Sequence, residues 1–175
     1  MSSPADLLIR DAMLVATVDD RRAEIPGGWV AITDGLIDGV GASGSEPEAT
    51  VSIDASGCLV TPGLINTHHH IYQNLTRAYT PALDGNLFHW LTTLYPKWAR
   101  LDEEAAYISA WIGLAELAES GCTTSSDHLY VHPAGAGDLL SAEISAAQEL
   151  GMRFHPTRGS MSLSEKDGGL PPDDV

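Results

Sequence analysis

Cys58-Leu59-Val60-Thr61-Pro62-Gly63-Leu64-Ile65-Asn66-Thr67-His68-His69-His70 decides how this chain is read. An apolar start, Cys58-Leu59-Val60, breaks at Pro62-Gly63, resumes at Leu64-Ile65 and ends in three imidazoles. The pattern predicts a buried strand that ends in histidines. Residues two apart in a strand point to the same face, so His68 and His70 share a side while His69 points away. Neutral imidazole suits zinc and related first-row ions, which makes His68 and His70 the candidate metal ligands. Adjacent histidines also occur as surface clusters or tag remnants. This cluster is internal and follows an apolar run.

Downstream of the histidines the period changes. From Leu101 to Ser120 apolar residues fall at Ala105, Ile108, Trp111, Ile112, Ala115 and Ala118, which is helical spacing. Asp102 is placed to cap that helix, Glu103-Glu104 suit its positive start, and Gly121 stops it. Cys122 to Asp127 reads as a second strand, Ala134 to Gly151 as a region holding a second helix (clearest from Asp138 to Leu150), and Met152 to Thr157 as a third strand. The β-α-β-α-β order predicts parallel strands joined by helical crossovers. Upstream, residues 1–60 read as β-rich. Short strands are expected at Leu7-Leu8-Ile9, Met13 to Ala16, Trp29 to Ile32 and Val51 to Asp54, with Asp34-Gly35 as a hairpin turn.

Composition narrows the partners. Of 175 residues, 24 are acidic and 9 basic, a net charge of −15, so neither a nucleic-acid backbone nor an anionic membrane is an expected partner. Cys58 and Cys122 sit in apolar or strand-like stretches and are expected to be buried thiols of a cytoplasmic protein. No apolar run approaches the ~18 residues of a membrane span, and no signal-peptide pattern opens the chain.

Pro62 to His70 resembles the first metal motif of the amidohydrolase superfamily, in which a Pro-Gly precedes the first barrel strand and a His-x-His closes it. Gln73-Asn74-Leu75-Thr76-Arg77 resembles the aminohydrolase branch that deaminates purines, pterins and triazines. Leu7 to Ala12 and Trp29 to Ile37 look like that family's opening strands, and Arg158 to Pro171 most resembles 8-oxoguanine deaminases.

The resemblance implies an α/β fold: a small β-sandwich segment over residues 1–60, then the first three or so βα units of a (β/α)₈ barrel over 61–175. Such a barrel needs at least ~200 residues, so the chain is expected to be an N-terminal fragment. It further implies one divalent metal ion, with zinc as the default and iron or manganese as alternatives. The remaining ligands and the catalytic acid/base residues are expected beyond Val175. Gln73, Trp90 and Arg158 are the implied substrate contacts: Gln73 to a lactam edge, Trp90 over the planar ring, Arg158 to an oxo group. A solvent-facing glutamine, a packing tryptophan and a surface or ion-paired arginine are the plainer readings of the same residues. His128 and His132 follow the second strand and are placed to line the mouth of the site. His89 reads as structural, and Asp127 as a cap. The expected reaction is hydrolytic deamination of a small purine-like substrate, 8-oxoguanine to urate and ammonia, by an enzyme that is homo-oligomeric at full length. Guanine, a pterin or a hydroxylated triazine are alternatives, and a non-catalytic metal-binding or interaction module is the alternative of another class.

Overall fold

The computed structural model describes residues 3–175, and the chain divides into two compact units, one ending at Pro62 and one spanning Gly63–Val175. The first is all β. Strands β1 (Ala5–Arg10), β2 (Leu14–Ala16), β3 (Glu24–Pro26), β4 (Trp29–Thr33), β5 (Leu36–Gly41), β6 (Ala49–Asp54) and β7 (Leu59–Val60) form two sheets, in the orders β5-β4-β1-β6 and β3-β2-β7. β4 and β5 are a hairpin. Its turn residues Asp34 and Gly35 both have positive φ, 53° and 74°, as a tight primed turn requires. The Trp29 ring lies flat across β5, where a Cβ on Gly41 would come within 2.5 Å of it, so the position admits only glycine. Cys58 is exposed, against expectation, because it sits on the turn after β6 rather than in a strand.

Pro62-Gly63 separates two strands that serve different sheets. Leu59 and Val60 pair with Leu14 and Val15 in the first unit. β8 (Leu64–Asn66) pairs in parallel with β9 (Cys122–Leu129), and β9 in turn with β10 (Arg153–Arg158). β8 is the edge of that sheet, so Leu64 and Ile65 are 58% and 68% exposed, and the expected buried strand is instead an open one.

Two crossovers follow the rule for parallel strands. After β8 come a 3₁₀ turn (Ile71–Thr76), α1 (Leu87–Trp98) and α2 (Glu103–Glu119), and α3 (Leu139–Leu150) joins β9 to β10. Asp102 and Gly121 bound α2 as expected, and α3 is bounded by the same residue types. Asp102 accepts the Ala105 N–H at 2.8 Å and Asp138 the Ser141 N–H at 3.1 Å, while Gly121 and Gly151 take left-handed φ after α2 and α3. α1, which the sequence did not announce, is capped by Asn86 accepting the His89 N–H and carries Pro96 in its last turn.

The face of α2 departs from expectation. Ala106, Ser109, Ala110, Gly113 and Leu114 are buried, while Ile108, Trp111 and Ile112 are exposed. α2 runs close against the 3₁₀ turn and α3, and a side chain at Gly113 would strike the Asn74 amide. Only a stripe of small residues permits that approach. A core of T-shaped aromatics lies beside it, with Trp98 meeting the rings of Tyr72, Trp90 and Tyr95 at 5.2–5.4 Å and donating from Nε1 to Thr76 Oγ1.

Candidate metal centre and active-site cavity

β9 organises the site by its alternation. Ser125, Asp127 and Leu129 are buried on one face, and His128 stands on the other. The chain leaves β8 at Asn66, yet the His69 carbonyl still accepts the His128 N–H at 2.9 Å, which keeps Thr67 to His70 against β9. Asn66 and His69 come to the same side, three residues apart. The two-residue alternation of the strand therefore breaks within Thr67–His68, although His68 and His70 do face each other.

His69 is held on the inner side. Asn66 Nδ2 lies 3.0 Å from His69 Nδ1 and also donates to Ser125 Oγ at 3.0 Å. Nδ1 is thus the acceptor, and Nε2 carries the hydrogen. Burial holds this imidazole below its ordinary pKa, so it is neutral near pH 7.

His68 and His70 stand edge to face, ring centroids 5.3 Å apart. His70 Nδ1 lies 2.9 Å from the backbone oxygen of His128. A carbonyl only accepts, so Nδ1 carries the hydrogen and Nε2 keeps its lone pair. A histidine fixed in this way by a backbone carbonyl is the usual outer support of a metal-ligating imidazole. Two neutral nitrogen donors side by side fit zinc and its neighbours. Among the described residues no group of three or more His, Cys, Asp or Glu could hold a metal ion, so the pair would be at most part of a ligand set.

A cavity of about 510 Å³ opens beside the pair, lined among others by His68, His70, Gln73, Asn74, Arg77 and Trp90. Gln73 Nε2 is 3.4 Å from both the Tyr72 and the Tyr130 hydroxyls, which turns its donor group away from a ligand and leaves Oε1 to accept. Trp90 packs on Trp98 and also lines the cavity. Arg77 is tied to Glu116 by two hydrogen bonds of 2.7 and 2.8 Å. Arg158 is exposed at the end of β10 and is not among the lining residues. Its nearest polar contact is the Gly159 carbonyl, at 3.5 Å. His128 lines a smaller hollow of about 300 Å³ with His68, His70, Asp127 and Thr157, whereas His132 and His89 line neither. His89 Nε2 meets the Pro81 carbonyl at 3.1 Å, a structural contact. Asp127 accepts the Ile71 N–H at 2.7 Å and so caps the turn after His70.

Asn66, Asn74, Tyr130 and Glu143 escaped the sequence reading. Only Glu143 left a signal: it lies on one helical stripe with Leu139, Ala146 and Ala147, an acid among buried apolar positions.

Residues 59–173 match the family described as "Amidohydrolase family". The chain is 46% identical over 166 residues to an 8-oxoguanine deaminase of Pseudomonas aeruginosa, covering 94% of this chain and 36% of that protein. It is 38% identical to an isoxanthopterin deaminase from an unknown prokaryotic organism, covering 91% of the chain and 34% of the relative. A crystal structure of an atrazine chlorohydrolase from Arthrobacter aurescens TC1, complexed with zinc, superposes with a TM-score of 0.88 at 30% identity over 97% of this chain and 39% of that one. The chain therefore spans about a third of the length of the curated relatives it matches. On the extent of the family match, and on the fold it shares with a solved relative, the chain belongs to the amidohydrolase family.

Proposed function

We propose that this chain is the N-terminal third of a metal-dependent aminohydrolase that deaminates an oxidised purine, 8-oxoguanine to urate and ammonia, with His68 and His70 as its first two metal ligands. Residues 1–60 are read as part of a composite β-sandwich and 61–175 as the first three βα units of the barrel. The observation that carries the reading is His70: its Nδ1–H is committed to the His128 carbonyl, and its Nε2 lone pair stands beside His68 at the edge of the cavity. The activity of the P. aeruginosa relative supports the substrate, and the zinc in the A. aurescens structure supports the metal.

A divalent cation at the pair supplies the Lewis acidity that makes water nucleophilic at neutral pH. The protein's own residues do the rest of the work assigned here. The His128 carbonyl fixes the His70 tautomer. His69, whose Nδ1 is turned to Asn66 on the inner side, stays out of the ligand set. The Gln73 Oε1, freed by the two tyrosine hydroxyls, accepts an N–H of a ring lactam edge, and Trp90 flanks the ring plane. The remaining ligands and the acid/base carboxylate are assigned to later barrel strands. Arg158 has no role in this arrangement unless a bound ligand draws it inward.

The test is ammonia release by the full-length protein from 8-oxoguanine, isoxanthopterin, guanine and a hydroxytriazine. The highest kcat/KM is expected for 8-oxoguanine. A preference for the triazine or the pterin overturns the substrate and leaves the aminohydrolase assignment standing. No turnover on any of the four overturns both.

A further inference from the structure

The carboxyl groups of Asp127 and Glu143 are 1% and 0% exposed. Asp127 Oδ1 accepts the Ile71 N–H at 2.7 Å, while Asp127 Oδ2 and both oxygens of Glu143 have no donor among the described residues. Glu143 on α3 and Asp127 on β9 are neighbours whose charges act on each other, and three of their four oxygens are without a donor while both are anions. Two ionised carboxylates cannot lie together in a dry site. The Ile71 amide favours the anion at Asp127, whereas Glu143 has no donor among the described residues. Burial raises both groups, and Glu143, lacking donors, is pushed up to about 9 and keeps the proton.

Beyond this pair stands the peptide that follows His70. The N–H of Ile71 is held by Asp127 of β9, and its carbonyl accepts from Ser109 Oγ of α2 at 2.5 Å. Ile71, the residue after the proposed ligand, is therefore fixed at both of its backbone polar atoms.

We propose that Glu143 is a positioning residue for the His68 and His70 pair: as a neutral acid it donates to Asp127 Oδ2 and holds that carboxylate where it clamps the Ile71 amide and the backbone presenting His70. The proposal rests on reading His68 and His70 as metal ligands. It assigns an acid in the middle of α3 to the metal centre through one intermediate side chain.

The experiment compares wild type with Glu143→Gln and Glu143→Met in the full-length protein. An amide can still donate to Asp127, while the thioether has similar bulk and no donor. Three readouts are taken: the neutral-carboxyl infrared band, hydrogen exchange of the Ile71 amide in metal-free protein, and Zn²⁺ affinity by chelator competition. Wild type is expected to show a neutral-carboxyl band at pH 7 that disappears in Glu143→Gln, with exchange and zinc affinity of that variant close to wild type. Glu143→Met is expected to lose Ile71 protection tenfold or more and to weaken zinc by about 10–100-fold, the usual cost of removing an outer support. Absence of the neutral band overturns the proposal, as does a methionine variant that matches the glutamine variant in both other readouts. Should Glu143→Met fail to fold, the infrared comparison of wild type with Glu143→Gln decides alone. If wild-type protein takes up no zinc, the metal reading falls, while the band and the Ile71 exchange still judge the Glu143–Asp127–Ile71 link.

Discussion

His69→Ala and His70→Ala should fail in opposite ways, although the residues are adjacent. Removing the His69 ring takes a partner from Asn66 and the packing of a half-buried ring. Asn66 keeps its bond to Ser125 Oγ, so it loses about 0.5–1.5 kcal/mol, the net worth of an ordinary hydrogen bond. The lost burial of the ring costs about 1–3 kcal/mol. The sum is roughly 2–4 kcal/mol, or a fall in Tm on the order of 5–15 °C for a unit of this size. Metal content should not change. His70→Ala removes the ring whose Nε2 is free and strands only the His128 carbonyl on the open side, so it should strip metal and cost little stability in metal-free protein. The assay is thermal and denaturant unfolding of metal-free full-length protein, with elemental analysis of the metal-loaded form. A His69→Ala protein that keeps its Tm and loses its metal would refute this division of labour.

Three further outcomes are expected. Gln73→Ala should lower kcat/KM for 8-oxoguanine by about ten- to a hundredfold through one unsatisfied buried group, with metal content unchanged by elemental analysis. Glu143 binds its proton in the folded state up to about 9 but releases it near the usual carboxylate range when unfolded, so it stabilises fully at low pH and progressively less as pH rises between those limits; denaturant titrations of Glu143→Gln should therefore lose up to ~1.4 kcal/mol of slope per pH unit between them. Leu114→Ala, at a fully buried position between the 3₁₀ turn and α3, should cost about 2–5 kcal/mol by chemical denaturation, and a value under 1 kcal/mol would mean the site collapses freely.

The sequence displayed the elements that rest on local rules. Asp102 caps α2 as expected, Gly121 ends it, and Asp34-Gly35 turns the hairpin, because each of these depends on a few neighbouring residues. What depended on packing was less legible. The spacing of Ile108, Trp111 and Ile112 suggested the core face of α2, but the buried stripe is Ala106, Ser109, Ala110, Gly113 and Leu114. Hydrophobic size was the wrong guide where three elements crowd together and only small side chains admit the neighbour. Leu64 and Ile65 misled in the same sense: an apolar strand implies a covered face, and β8 lies at the edge of its sheet. The histidine pair was visible from spacing and resemblance, but what orients it was not. The His128 carbonyl is a backbone atom carrying no residue signature, and Glu143 becomes informative only once its helix face is known to be buried.

The two kinds of requirement at His70 have different reach. A complete ligand set asks for donors from several strands, and the described residues hold two. Orientation asks for much less. The His70 ring is fixed by the His128 carbonyl, the backbone N–H and carbonyl of Ile71 by Asp127 and Ser109, Asp127 by Glu143 on the proposal above, and the neighbouring His69 by Asn66. Every one of these groups lies between residues 66 and 143, on β8, the 3₁₀ turn, α2, β9 and α3. Because these are short contacts between packed elements, they do not wait on a metal to form. On the proposed reading His70 is a preorganised ligand: the cost of fixing it is met by folding of these packed elements, and a cation would meet a histidine already in its tautomer and orientation. A metal-free protein should then show the His70 Nδ1–H and the Ile71 amide as slowly exchanging, and binding should change neither.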